Sequence, residues 1–220
     1  MGSYLRGRLA IAAGTAGLLA AGFFGLDYHL AGGAFHDVAT ALDARVPFRP
    51  EWVWAYLLYY PFCFLPLAMP GVLAEERLFK RVAAGYIAQS AAAWVLFYFY
   101  PTAMRHPAIV GHSLNESLLE IIRAVDPGYN IFPSLHVANA VFVWRLASRL
   151  MPSPWPALCA PPAALIAAST VLVKQHYLLD LPAGALLGWA AAWAALRGWT
   201  SRAAVSAPPA KPLAKPDREP

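Results

Sequence analysis

The chain has 220 residues, 59% of them hydrophobic and only 13% charged, with a net charge of +5. A soluble domain carries about 25% charged residues, so the composition excludes an ordinary water-soluble globule and points to an integral membrane protein. The cations are scattered through short loops, which excludes a nucleic-acid surface. Cys63 and Cys159 both fall in apolar runs and read as packing thiols rather than a disulfide or metal pair.

A bilayer-crossing helix needs about 20 mostly apolar residues. Six segments approach this length, at 9–26, 53–73, 82–100, 133–150, 155–173 and 178–196. The first follows Arg6 and Arg8, and its apolar run is longer than the ~7–15 residues of a signal-peptide core, so it is expected to be an uncleaved anchor. Residues 34–43 carry Phe35, Val38 and Leu42 at helical spacing and form either an interfacial helix or an ordinary loop. The aromatic cluster Trp52, Trp54, Tyr56, Tyr59 and Tyr60 fits an interfacial belt. The fourth segment is the least apolar, with Arg145 and Arg149 near its end expected to snorkel to the interface. Gly184 and Gly188, four apart in the last segment, could admit a close neighbouring helix.

Six spans put both termini on one side. With the termini inside, the inner segments hold Arg6, Arg8, Arg77, Lys80, Arg81, Arg145, Arg149 and every cation from Arg197 onward, against Arg45, Arg49, Arg105, Arg123 and Lys174 outside. The positive-inside rule therefore predicts cytoplasmic termini. The expected architecture is an all-α, integral membrane six-helix bundle over residues 1–200. Residues 201–220, rich in Pro and Ala, form a disordered cytoplasmic tail.

The polar residues that interrupt this apolar pattern carry the chemistry, because ionisable groups near a bilayer are expensive. His176 and Asp180 are four apart and share a face if the helix has begun, so that Asp180 can fix one ring nitrogen of His176 and free the other for attack. Pro182 suggests instead a helix starting only near Asp180. Pro133 and Ser134 fit a helix opening whose N–H groups attract a phosphate, with His136 placed to protonate a leaving oxygen. Arg105 can grip phosphate oxygens bidentately, and Lys174 adds a point charge. Phosphoryl transfer needs mainly positioning and charge neutralisation, and no carboxylate cluster near these motifs suggests a magnesium site, so neither metal nor other cofactor is expected. His106 and His112 read as solvated.

These residues resemble the type 2 phosphatidic acid phosphatase superfamily. Its third motif, Ser-Arg, five residues, His, three residues, Asp, is matched in spacing by Ser169-Thr170, His176 and Asp180. Its second, Pro-Ser-Gly-His, is similar to Pro133-Ser134-Leu135-His136. The first is reduced to Arg105-His106-Pro107, with Tyr98 where the family has a lysine and Thr170 where it has an arginine. Tyr100 to Arg105, Asp126 to His136 and Ser169 to Asp180 look more like the branch containing inositol phosphorylceramide synthases, with a more distant likeness from Leu42-Asp43 to Tyr59-Tyr60. The resemblance implies a catalytic centre at the outer membrane boundary, with His176 as nucleophile, Asp180 orienting it and His136 as acid and then base. It also implies that Arg105, Lys174, Ser134 and Ser169 hold the phosphate. The expected partners are a lipid phosphate or phospholipid and the bilayer. The motifs do not choose between water and a lipid alcohol as acceptor, so a plain phosphatase of phosphatidate or isoprenyl diphosphate stays open. So does a non-catalytic transporter or scaffold with a His/Asp proton relay.

Overall fold

The structure, a computed structural model, describes residues 2–199; the tail expected at 201–220 lies outside them. All regular elements among the described residues are helical: α1 (Gly2–Leu30), α2 (Val53–Leu57), α3 (Tyr59–Cys63), α4 (Leu65–Ala68), α5 (Pro70–Ala74), α6 (Glu76–Phe99), α7 (Leu114–Val125), α8 (Leu135–Leu150), α9 (Trp155–Leu172) and α10 (Asp180–Leu196). Three of them, α1 from Leu5, α6 and α9, are long and apolar enough to cross a membrane.

The segment expected as one span at 53–73 is a stack of four short helices, α2 to α5. Pro61, Pro66 and Pro70 punctuate it, each removing a backbone donor. The firmest break is Met69, whose ψ of 117° leaves the helical region just before Pro70 opens α5. The segment expected to be weakest, α8, is the centre of the bundle. It packs on α3, α4, α6, α9 and α10, and buries Val137, Ala138, Asn139, Ala140, Phe142, Val143, Leu146 and Ala147. A helix enclosed by protein has no need of a uniformly apolar surface, and Arg145 leaves the enclosed part to sit over the Trp189 ring.

The pairing of α8 with α10 depends on two glycines. A Cβ on Gly184 would run into the carbonyl oxygen of Ser134, and one on Gly188 into that of Ala138. The backbones therefore meet where the sequence spacing suggested. By contrast α1 packs chiefly against α6, with Gly22 lying against the Trp94 indole.

Above the bundle the connecting loops form a cap. Residues 34–42 contain no helix, and a single 3-10 turn opens at Asp43; His36 bridges to Thr102, and Thr102 to Asn130. Backbone bonds from His36 to Pro101 (2.8 Å) and from Met104 to Gly128 (2.9 Å) tie the three loops together. Helix α7 is an element the hydropathy pattern passes over, being only 12 residues long. Its start is marked by a capping box, in which the Ser113 N–H donates to the Glu116 carboxylate at 3.0 Å and Ser113 Oγ caps the Glu116 N–H. Leu119 and Ile122 bury against Val53 and Tyr56.

Gly→Ala inside a helix ordinarily stabilises by about 1 kcal/mol. Gly188→Ala is expected to reverse that sign and destabilise by about 1–3 kcal/mol through overpacking, read as a lower unfolding temperature in detergent, while Gly17→Ala in α1, where a Cβ meets nothing, keeps the ordinary sign.

Candidate functional site

The turn between α9 and α10 presents the central imidazole. The carbonyl of Thr170 accepts from two successive N–H groups, Gln175 at 2.9 Å and His176 at 3.0 Å. This tight reversal puts Lys174 at φ 59°, a left-handed conformation that costs a non-glycine residue on the order of 1–3 kcal/mol. The lysine side chain offsets the cost by donating to the carbonyls of Val46 (2.6 Å) and Asp43 (3.2 Å). Helix α10 begins at Asp180, so His176 and Asp180 do not share a helical face. The turn joins them instead. Asp180 Oδ2 lies 3.0 Å from His176 Nδ1 and accepts from the Tyr177 N–H at 2.9 Å. The carboxylate is fully buried and sits at a helix N-terminus, where the dipole favours negative charge.

This bond assigns the tautomer. An ionised carboxylate only accepts, so Nδ1 of His176 carries the hydrogen and Nε2 keeps its lone pair. That lone pair faces Nδ1 of His136 at 3.4 Å. His136 is in the first turn of α8, its ring tilted against those of Tyr59 and Tyr56 at centroid distances of 4.2 and 4.6 Å. Tyr59 is itself fixed, its hydroxyl accepting from Asn139 Nδ2 at 2.7 Å. At 3.4 Å the two nitrogens leave no room for a further heavy atom between them.

The other sequence-derived residues fall in different places. Ser134 caps α8, its Oγ accepting from the Val137 N–H at 3.3 Å, and is fully buried. Ser169 is also buried, and its hydroxyl is spent on the Ile166 carbonyl at 2.7 Å. Arg105 extends into solvent, 3.6 Å from Asp37. Lys174 is engaged by the two loop carbonyls, and burial pushes its pKa down against the pull of Asp43. Tyr98, at the family's lysine position, points away and stacks on His29 at 5.7 Å. His112 is exposed as expected, but His106 is not solvated. Its Nδ1 lies 2.9 Å from the Lys174 carbonyl and its Nε2 3.3 Å from the Pro127 carbonyl. Burial lowers its pKa against the pull of the two carbonyls, and the ring braces the turn.

Two cavities meet at His176. An outer one is lined by Asp43, Arg105, His106, Lys174 and Tyr177. An inner crevice of about 370 Å3 is lined by His136, Asp126, Asn130, Gln175 and aromatic residues of α1 and α3. Gln175, buried beside His176, has an amide Nε2 with no partner among the described residues. Asp126 is half-buried; burial pushes its pKa up, opposed by His176 and by the Gly128 N–H. Neither residue stood out in the sequence, although both lie in the stretches that carry the motifs. Asp43 was legible only as part of a faint likeness. It receives the Leu178 N–H at 2.7 Å and both the N–H and the hydroxyl of Thr40 at 2.7 Å, clamping the α9–α10 turn from a distant loop.

Burial alone would raise the Asp43 pKa, but the Thr40 and Leu178 bonds and the Lys174 charge hold it below its ordinary value. A depressed carboxyl contributes stability that is present above its unfolded pKa and is lost as pH falls through the folded one. Asp43→Asn is expected to cost about 1.5–3 kcal/mol near neutral pH. The gap to wild type should close as acid protonates the wild-type carboxyl, as unfolding titrations from neutral to acid pH would show.

No curated protein and no solved structure matches the chain. A family model described as the PAP2 superfamily matches residues 48–203, which takes in every helix of the site from α2 to α10. On that match the chain belongs to the PAP2 superfamily, whose members are phosphoesterases.

Proposed function

We propose that this protein is an integral membrane lipid phosphatase or phosphotransferase that works through a phosphohistidine on His176. It crosses the bilayer six times, with both termini cytoplasmic and the site at the outer boundary. The observation that carries the reading is the linear array Asp180–His176–His136, with 3.0 Å between carboxylate and Nδ1 and 3.4 Å between Nε2 and the second imidazole. The bilayer placement draws on the three long apolar helices and on the excess of cations in the inner segments.

The chemistry follows from the proton positions. Nε2 of His176 attacks phosphorus and the bond from phosphorus to the lipid oxygen breaks. Protonated His136 gives its proton to that oxygen, so the alcohol leaves neutral. Attack makes the His176 ring cationic, and Asp180 stabilises the charge through the Nδ1 hydrogen. In the second half, His136 takes a proton from the incoming hydroxyl, whose oxygen displaces His176 from phosphorus. Arg105, Lys174 and the start of α8 at Ser134 neutralise the oxygens, with the Gln175 amide as a further donor; Ser169 acts by shaping the turn. The steps need no metal. The acceptor is a lipid alcohol or water, and the likeness of Asp126 to His136 and of Lys174 to Asp180 to the inositol phosphorylceramide synthase branch favours the alcohol.

Wild type, His176→Ala and His136→Ala would be purified in detergent and assayed in chelator with phosphatidate, an isoprenyl diphosphate and phosphatidylinositol, each with and without a lipid alcohol. Wild type is expected to turn over at least one donor, His176→Ala none, and His136→Ala about 10²–10⁴-fold more slowly. Free phosphate alone would identify a phosphatase. A new phospholipid formed only with the alcohol would identify a transferase. Activity surviving in His176→Ala, or wild type inert on every donor, would overturn the reading.

A further inference from the structure

The catalytic pair does not close off the interior of the bundle. Behind it, the inner crevice continues into a second cavity of about 150 Å3, the two sharing Ala16, Leu19, Tyr59, Cys63, Phe64 and Asn139. The two adjoin along these residues and outline the course of a channel, with α1 on one side, the broken α3–α5 stack on the other and α6 at its base. On α1 the wall runs from Phe24, in the crevice of the histidines, down to Ala12. At 1.5 Å per residue that is about 18 Å, slightly more than half of a hydrocarbon core about 30 Å thick. This is the depth of one lipid tail in one leaflet. Ala12, Ala16, Leu19 and Phe23 line the channel at helical spacing, so one face of α1 is committed to it.

The polarity of the channel is graded. Asp126, Asn130, Gln175 and the histidines lie at one end, and Val72, Phe79 and Val82 at the other. Polar groups partway along are turned to each other rather than to the channel: Asn139 donates to Tyr59 and receives from Gln89. No lysine or arginine is among the described lining residues of either cavity. A wall that is polar at one end, apolar at the other and a leaflet deep fits an amphiphile inserted tail first.

We propose that this channel binds a single hydrocarbon chain of the lipid whose phosphate reaches His176, and that α1, which precedes the matched family region, is the wall that sets chain length. The proposal rests on the lipid phosphoesterase reading but is tested separately from it. The full-length protein would be photolabelled in detergent with a long-chain alkyl phosphate carrying a diazirine at the chain terminus, and the labelled peptides mapped by mass spectrometry. Label is expected on the α1 peptide around Ala12 to Leu19 and on the Val72 to Val82 stretch, and is expected to persist in His176→Ala, since binding precedes chemistry. Ala16→Trp should cut this labelling about tenfold or more, because each methylene kept out forfeits roughly fourfold in affinity. Ala20→Leu, a milder change whose folding is checked by thermal unfolding, should cut it less. Wild-type label confined to the outward faces of α10, at Leu186, Trp189 and Trp193, would overturn the channel, as would an unchanged map in folded Ala16→Trp. Channel labelling without turnover of any lipid phosphate would uphold the channel and sink the enzymatic reading; turnover without channel labelling would do the reverse.

Discussion

The site depends on one bond, between the carboxylate of Asp180 and the Nδ1 hydrogen of His176. Burying a carboxylate completely costs several kcal/mol unless it is paired. Here the α10 N-terminus, the Tyr177 N–H and the imidazole supply the compensation. The rest of the outer cap maintains that geometry. The Thr170 carbonyl folds the turn, Lys174 accepts a left-handed backbone, and Asp43 and His106 hold the turn from opposite loops. The Ser134 N–H, donating to the Asp180 carbonyl at 3.2 Å, ties the start of α8 to the start of α10. The His176 and His136 rings are thus positioned by the same backbone junction.

What the sequence made legible was local. His176 and Asp180 are four residues apart, and the chemistry of their pairing can be argued from spacing alone, though the pair is built by a turn and not by a shared helical face. The Gly184 and Gly188 contact was legible for the same reason, since the spacing of small residues is itself the signal. What was not legible was long-range. The Asp43 to Leu178 bond joins residues 135 apart in the chain, and nothing around Asp43 announces it. Arg105 and Lys174 were read from charge, but charge does not reveal that one would pair with Asp37 and the other with backbone carbonyls. His106 was misjudged because a histidine in a polar loop looks solvated until the carbonyls of Lys174 and Pro127 close around it. Hydropathy also ranked α8 lowest, because it measures contact with lipid, and α8 contacts protein on nearly every side.

The two departures from the family's cation pattern acquire a physical meaning in the structure. Tyr98 leaves the site altogether and joins the aromatic surface beside His29. Thr170 stays in the turn, but through its backbone: its carbonyl orders Gln175 and His176, and its hydroxyl is bonded to the Ala167 carbonyl at 2.8 Å. Positive charge near His176 is therefore concentrated on the outer side, where Arg105 and Lys174 line the cavity, while the inner side carries Asp126. His176 thus has cations in the cavity on one side of it and a carboxylate in the crevice on the other. That field draws an anion toward the cavity of Arg105 and Lys174 and away from Asp126.

The remaining constraint is space. Two nitrogens 3.4 Å apart leave no room for phosphorus between them. The backbone cannot supply the opening, because α8 and α10 are locked together at Gly184 and Gly188, with carbonyl oxygens filling the places a Cβ would take. The His176 ring is held by Asp180 and cannot swing without losing its tautomer. The freedom lies with His136, whose ring packs at tilted angles against Tyr56 and Tyr59 and makes no hydrogen bond as strong as the one that fixes His176. Tilted ring contacts yield to sliding far more readily than a charge-assisted hydrogen bond yields to stretching. The arrangement therefore holds the His176 ring fixed and leaves the His136 ring the freer of the two.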